Sequence, residues 1–325
     1  MAKNIIICCD GTGNEFSTHN TNVVNTYQAT VRNNEQVAFY DPGVGTFNIF
    51  GRRFGKYIGI KLGEAFGYGL TDNIEDAYFY LMENYEVGDK IFLFGFSRGA
   101  FTVRALSGML QKVGLLQKGS NNMIPYATQM YLTLNNNPLA ESFKKTYSHE
   151  CIPHFIGVWD TVGSLGLFFN KDFIDIRLHD VPNAYHAVSI DERRKKFPVT
   201  LWSQRNPKEN QIIEQVWFPG VHSDIGGSYD ERHISDITLH WMLRKAQKHG
   251  MLLRDGWDKN FEKNPAGKIH ESREGFWKIW SPVTRPLYKF KGSKIHHSVI
   301  QRMEARPDYR PELPENYVVV MDDDD

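Results

Sequence analysis

The join at residues 90–113 constrains the fold most. An apolar run, Lys90–Phe96, passes directly into Gly95-Phe96-Ser97-Arg98-Gly99, and a helix-patterned stretch, Ala100–Val113, follows at once. Val103, Leu106, Leu110 and Val113 form that helix's apolar stripe, and Gly114 stands just past its end, where a left-handed cap suits glycine. A strand that turns straight into a helix belongs to a parallel sheet, which needs helices over its faces. The rest of the chain repeats the pattern. Lys3–Cys9 reads as a buried strand stopped by Asp10-Gly11-Thr12-Gly13, and Gln36–Tyr40 as a strand stopped by Asp41-Pro42-Gly43. Thr71–Tyr85 reads as a helix capped by Thr71, with Asp72, Glu75 and Asp76 at its positive end. His154–Trp159, Gln215–Phe218 and Tyr317–Met321 read as further strands. The expectation is an α/β fold: a mostly parallel central sheet with helices on both faces. Residues 1–250 form one unit with a cap insertion at 117–148. Residues 251–325 lack clear periodicity and read as an irregular C-terminal extension packed on the same domain.

Composition removes several classes. The chain has 325 residues, 41% hydrophobic and 23% charged, enough for a full core. Lys+Arg 38 balances Asp+Glu 38, so the basic excess typical of phosphate-neutralising proteins is missing and no nucleic-acid partner is expected. Three cysteines, Cys8, Cys9 and Cys151, are too few for a disulfide framework and lack zinc-site spacing. Cys8 and Cys9, adjacent on a strand, should face opposite sides of the sheet as core residues. The N-terminal apolar run is too short for a signal-peptide core, and no stretch approaches the ~20 apolar residues of a membrane span. The expectation is synthesis in the cytoplasm, with export by a route lacking a cleaved signal left open.

The chemistry centres on Ser97. In G-x-S-x-G between strand and helix, the two glycines make room for a strained turn that lifts Oγ above the sheet. The bland alternative is a serine that only caps the helix. A serine nucleophile needs a base and an orienting carboxylate, and in this arrangement the order along the chain is Ser, Asp/Glu, His. Asp160 directly follows the strand His154–Trp159, and His222 lies just past the strand ending in Phe218. Both then fall on the carboxyl edge of the sheet. His222 is the candidate base and Asp160 its partner. Asp224 competes with Asp160. His296 or His297, ahead of Ser298, competes with His222, and His186 with Asp191 is a further pair on a helix-like stretch. An oxyanion hole takes the amide of Arg98 and a second from Gly11 or Thr12, with Asp10 bracing the loop. Cys8-Cys9-Asp10-Gly11-Thr12 also resembles the D-x-D-G-T signature of aspartate-nucleophile phosphatases, but Cys8 stands where the attacking aspartate would be. No metal and no cofactor is expected.

Residues 50–67 alternate Phe50, Phe54, Ile58, Leu62 and Phe66 with Gly51, Gly55, Gly59, Gly63 and Gly67. Each glycine costs a helix ~1 kcal/mol relative to alanine. The segment reads either as a glycine-permitted loop or closely packed helix, or as a mobile lid touching a membrane surface, with Arg52, Arg53, Lys56 and Lys61 on its polar side.

Five motifs in order carry a resemblance: Asp10-Gly11-Thr12-Gly13-Asn14, Tyr40-Asp41-Pro42-Gly43-Val44-Gly45-Thr46, Gly95-Phe96-Ser97-Arg98-Gly99-Ala100, Gly157-Val158-Trp159-Asp160-Thr161-Val162-Gly163, and Pro219 through Tyr229. Over roughly residues 4–230 the chain resembles an α/β-hydrolase family of uncharacterised proteins that includes the phospholipase effectors of bacterial type VI secretion. The resemblance implies an α/β-hydrolase-like fold and a serine esterase or lipase cleaving acyl esters, often of phospholipids, through Ser97, Asp160 and His222. Larger effectors of that kind carry an added membrane-anchoring module, and the expectation from this length is that the chain lacks one. An intracellular esterase or an ester-cleaving defence protein is therefore implied equally.

Overall fold

The computed structural model describes residues 2–11, 19–43, 62–133, 137–162, 177–178, 180–203, 207–273 and 281–322, the side chains of 62–68 and 137 excepted. Strands β1 (Asn4–Cys9), β2 (Gln36–Asp41), β3 (Lys90–Phe96), β6 (Phe155–Trp159), β7 (Asn183–Ser189), β8 (Ile212–Phe218), β9 (Lys294–His296) and β10 (Val318–Val320) form one sheet. Leu115–Leu116 (β4) and Ser148–His149 (β5) pair separately as a short antiparallel ribbon. The main sheet has the order β10-β9-β8-β7-β6-β3-β1-β2, and each of its pairs is parallel. The strand order reverses between β1 and β3. Beyond such a reversal lies the crevice at the carboxyl ends where α/β sheets bind ligands. Asp10 and Ser97 follow those two strands.

Both faces are covered. Ile5, Ile7 and Cys9 point to one side and Ile6 and Cys8 to the other, so the two cysteines do face opposite layers. On the first side lie α2 (Leu62–Asn84) and α3 (Arg98–Val113); on the second lie α1 (Asn22–Ala29) and α7 (His233–Lys248). Trp159, Trp241, Phe94 and Phe155 are fully buried in the second layer. Each such side chain contributes about 1.5–3 kcal/mol of burial. The segment between the ribbon strands folds as α4 (Ile124–Leu132) and α5 (Asn137–Tyr147). Ile124, Ala127, Tyr131 and Phe143 extend the first layer. Its ends join at the far end of α3, ~24 Å along the helix from Ser97.

Three expectations need correction. Thr71 does not cap a helix, because α2 already runs from Leu62. His186 is not on a helix-like stretch: it sits in β7, all seven residues of which are buried. The C-terminal extension is only partly irregular, since it supplies β9, β10 and the helix α8 (His297–Ala305). β10 lies within the strand expected at 317–321. Leu287, Ile295 and Val299 pack there with Trp217 and Val188 as a third apolar cluster at the sheet's far edge.

Candidate active site

Ser97 ends β3 and stands at the N-cap of α3 with φ 56° and ψ −115°. That backbone is costly for a residue with a side chain and persists only where its surroundings enforce it. Two glycines allow it. A Cβ on Gly95 would run into the backbone of Gly99, and one on Gly99 would run into the Cys9 carbonyl of β1. The Ser97 amide donates to the Trp159 carbonyl at 3.1 Å, which ties the turn to β6. The side chain makes no capping bond to α3, so the capping alternative fails. Instead Ser97 Oγ lies 2.8 Å from His222 Nε2.

His222 is the first residue of α6 (His222–Gly226), reached from β8 through Gly220, which takes φ 115°. The imidazole lies against the rings of Phe96 and Phe197, with centroids 4.7 and 5.1 Å away. Its Nδ1 is 2.5 Å from Asp160 Oδ2, and its amide donates to Glu192 Oε2 at 3.2 Å. An ionised carboxylate only accepts, so Nδ1 carries the proton and Nε2 faces the serine as acceptor. Burial pulls the His222 pKa below its ordinary 6.5, against the opposing pull of Asp160. The ring is therefore neutral at pH 7, the state a general base requires.

Asp160 follows β6 with φ 40° and is fully buried. Burial alone would raise its pKa, but the Arg285 guanidinium and the His222 hydrogen bond outweigh it and hold the carboxyl well below the usual range. Arg285 meets it with both terminal nitrogens, at 2.5 Å to Oδ1 and 2.9 Å to Oδ2. The Ser189 amide adds a bond to Oδ1 at 3.0 Å. Sequence reasoning missed Arg285. It lies in Ser281-Pro282-Val283-Thr284-Arg285-Pro286, which has no periodic signal.

The rival residues are engaged elsewhere. Asp224 accepts from the Val221 amide at 2.9 Å and meets His270 Nδ1 at 2.6 Å. His270 also reaches Glu231 at 3.0 Å. His186 is fully buried, and burial lowers its pKa to about 3; its Nε2 accepts from the Thr161 amide. Asp191, its supposed partner, instead accepts from the Gly220 amide at 2.6 Å and Tyr309 Oη at 2.9 Å. His296 bonds Ser298 and Asp322. One donor atom each of His296, His297 and Asp322 lies within 4.8 Å of the others. Among the described residues this is the group with metal-ligand chemistry, and it stands apart from Ser97.

The loop after β1 is partly described. Asp10 accepts from Thr21 Oγ1 at 2.5 Å and Tyr40 Oη at 3.1 Å, bracing the strand end. The Gly11 amide is donated to Asp10 Oδ1 at 2.7 Å and is turned onto that carboxylate. Thr12 and residues 50–61 lie outside the described residues; residues 62–67 form the start of α2. Burial pushes the Cys8 thiol far above its ordinary range, which leaves the phosphatase reading without an attacking group. Burial pulls the Arg98 guanidinium down to about 10. Among the described residues no helix is long and apolar enough to cross a membrane.

The family model described as "T6SS, Phospholipase effector Tle1-like, catalytic domain" matches residues 3–245. The chain is 38% identical over 217 residues to the uncharacterized protein YEL023C of Saccharomyces cerevisiae (strain ATCC 204508 / S288c), covering 60% of this chain and 32% of that protein. Among solved structures it is similar to an uncharacterized protein from Pseudomonas aeruginosa, with TM-score 0.52 and 20% identity, over 79% of this chain and 47% of that one. A structure of the Tle1 effector bound to the VgrG spike from the type 6 secretion system gives TM-score 0.45 and 17% identity, over 70% of this chain and 51% of that one. The chain thus spans about a third of the curated relative. The Pseudomonas likeness, at its low identity, bears on the fold alone.

Proposed function

The chain belongs to the Tle1-like phospholipase effector catalytic-domain family, and from that premise we propose that it is a serine esterase cleaving acyl esters, phospholipids foremost, through an acyl-enzyme on Ser97. The observation that carries this reading is the unbroken line from Ser97 Oγ to His222 Nε2 and from His222 Nδ1 to Asp160 Oδ2. Burial grades along it: Ser97 is partly exposed, His222 and Asp160 are buried.

In this reading the Ser97 oxygen attacks the ester carbonyl as His222 Nε2 takes its proton. Asp160 holds the imidazole in the tautomer that makes this transfer and stabilises the imidazolium formed. The carbonyl oxygen becomes an oxyanion beside the first turn of α3, where the Arg98 amide and the positive helix end offer stabilisation worth ~3 kcal/mol per donor. The imidazolium then protonates the leaving alcohol, the carbon–oxygen bond breaks, and an acyl ester remains on Ser97. Water, deprotonated by His222, releases the acid and restores the hydroxyl. None of these steps requires a metal. A second amide donor is expected from the loop after β1, with Gly11 and Thr12 as the candidates. Since the Gly11 amide rests on Asp10, that residue serves only if the loop turns on binding.

The test is labelling by a fluorophosphonate probe together with hydrolysis of a short acyl ester and of phosphatidylcholine vesicles. Wild type should label and turn over, and Ser97→Ala should do neither. An unlabelled wild type would make the chain a binding module on a hydrolase scaffold. Ester turnover without vesicle turnover would remove the lipid assignment and keep the esterase. Phe54→Ser with Ile58→Ser tests whether residues 50–67 touch the vesicle surface: loss of vesicle turnover alone supports it, and unchanged turnover refutes it.

A further inference from the structure

We infer that Arg285 is a positioning residue of this site: its guanidinium holds the Asp160 carboxylate in line with His222 and so makes turnover depend on the docking of the C-terminal segment around residues 281–290. The inference rests on the reading of Ser97, His222 and Asp160 as the reacting line.

The geometry is specific. Asp160 occupies a positive-φ position, one that aspartate tolerates better than most residues with side chains, and its carboxylate is fully buried. Arg285 holds it. Its Nη1 reaches Asp160 Oδ1 and the Ser189 carbonyl at 2.5 and 2.9 Å, and its Nη2 reaches Asp160 Oδ2 and the Phe197 carbonyl at 2.9 and 3.0 Å. One buried fork thus joins the loop after β6, the end of β7 and the 191–200 loop. The Phe197 ring on that loop is itself packed edge-on to His222. A lysine could supply the charge but not this planar fork.

Arg285 lies beyond the stretch that matches the family, residues 3–245. It is seated from the C-terminal side: Leu287, two residues on, is buried with Ile295 and Trp217, and the Val283 amide donates to the Arg193 carbonyl at 3.0 Å. Among the described residues of the matched region, the ionisable group that hydrogen-bonds this buried carboxylate is the His222 imidazole. Among the described residues, the charged and titratable groups that act most on His222 are Asp160, Arg194 and Glu192, and His186 and Arg285 face Asp160. With Arg285 removed, the Asp160 charge acts on His222 uncompensated and favours the imidazolium. The base is then lost at higher pH.

The experiment uses the full chain as wild type, Ser97→Ala, Arg285→Met and Arg285→Lys, with folding checked by circular dichroism and kcat/KM for a short acyl ester measured from pH 5 to 9. Arg285→Met should lose about 100-fold and move the acid limb up by ~1 pH unit. Arg285→Lys should lose about tenfold with the limb unmoved. Arg285→Met within threefold of wild type overturns the inference. So does a folded Arg285→Lys whose limb moves as far as that of Arg285→Met. Turnover retained in Ser97→Ala would instead bring down the underlying reading, whatever Arg285 does.

Discussion

Two lines of aspartate, histidine and serine lie at the carboxyl rim of the same sheet. One joins Asp160, His222 and Ser97; the other joins Asp322, His296 and Ser298. Their separations are alike: 2.5 and 2.8 Å in the first, 2.9 and 2.8 Å in the second. The wiring is opposite. In the first the carboxylate takes Nδ1 and the serine takes Nε2. In the second Asp322 takes Nε2, while Ser298 sits on Nδ1 with both its hydroxyl and its amide. That double contact closes the first turn of α8 onto the end of β9, which is a capping task. Ser298 is fully buried, whereas Ser97 is partly exposed on a strained turn. The lesson is that three residue types in contact do not define a reaction centre. Exposure of the serine and a backbone held against its preference separate the two.

The largest difference should appear at the serines. In the proposed mechanism Ser97→Ala removes the attacking atom, so ester turnover should fall by a factor on the order of 10³ or more with the melting temperature nearly unchanged. Ser298→Ala removes a buried hydrogen bond and no chemistry. Its rate should stay within threefold while stability drops by about 1 kcal/mol. A fluorophosphonate adduct mapped by peptide mass spectrometry should sit on Ser97. An adduct on Ser298 would reverse the comparison.

The histidines should follow with a somewhat smaller contrast. His222→Ala should cost about 10³-fold in kcat while the probe reacts slowly if at all. His296→Asn should leave kcat near wild type and lower the melting temperature, because Asp322 would lose a buried partner that helps hold its carboxyl low. Full turnover in His222→Ala joined with loss in His296→Asn would move the base to the C-terminal segment.

The first line was legible in the sequence because each member lies at or within four residues of the end of an apolar strand and stands in a short glycine-containing motif. Local spacing alone puts Ser97, Asp160 and His222 at strand ends, and parallel pairing then brings those ends to one rim. Arg285 was not legible. Its role is set by contacts 125 residues away in sequence, and nothing around it repeats. β7 was missed for a related reason. Asn183, His186 and Ser189 interrupt the apolar run that marks a buried strand. Each leans on distant groups: the His154 carbonyl for Asn183, the Thr161 amide and Gln215 for His186, and the Gly220 carbonyl for Ser189, whose hydroxyl also accepts from the nearby Glu192 amide. α2 began earlier than expected because the five glycines of 50–67 argue against helix by propensity, yet residues 62–67 are helical.

The effect on rate is smallest for protons, and it separates the two imidazoles by what each controls. Burial pulls the His222 pKa below 6.5, so in the proposed mechanism the rate falls only as pH drops through that lowered value. The acid limb of kcat/KM should therefore lie below pH 6.5. His296 is also depressed, to about 4, mainly by burial. An unfolded His296 binds its proton near 6.5 and the folded one near 4, so between those values the unfolded state holds more protons and folding weakens as pH falls. Each unit of that shift is ~1.4 kcal/mol, which makes the loss a few kcal/mol by pH 4. Melting temperatures from pH 7 to 4 should therefore decline less steeply in His296→Asn than in wild type, while the acid limb of the rate keeps its position. A rate limb that moves with His296→Asn would join the two lines into one titrating unit and end the contrast.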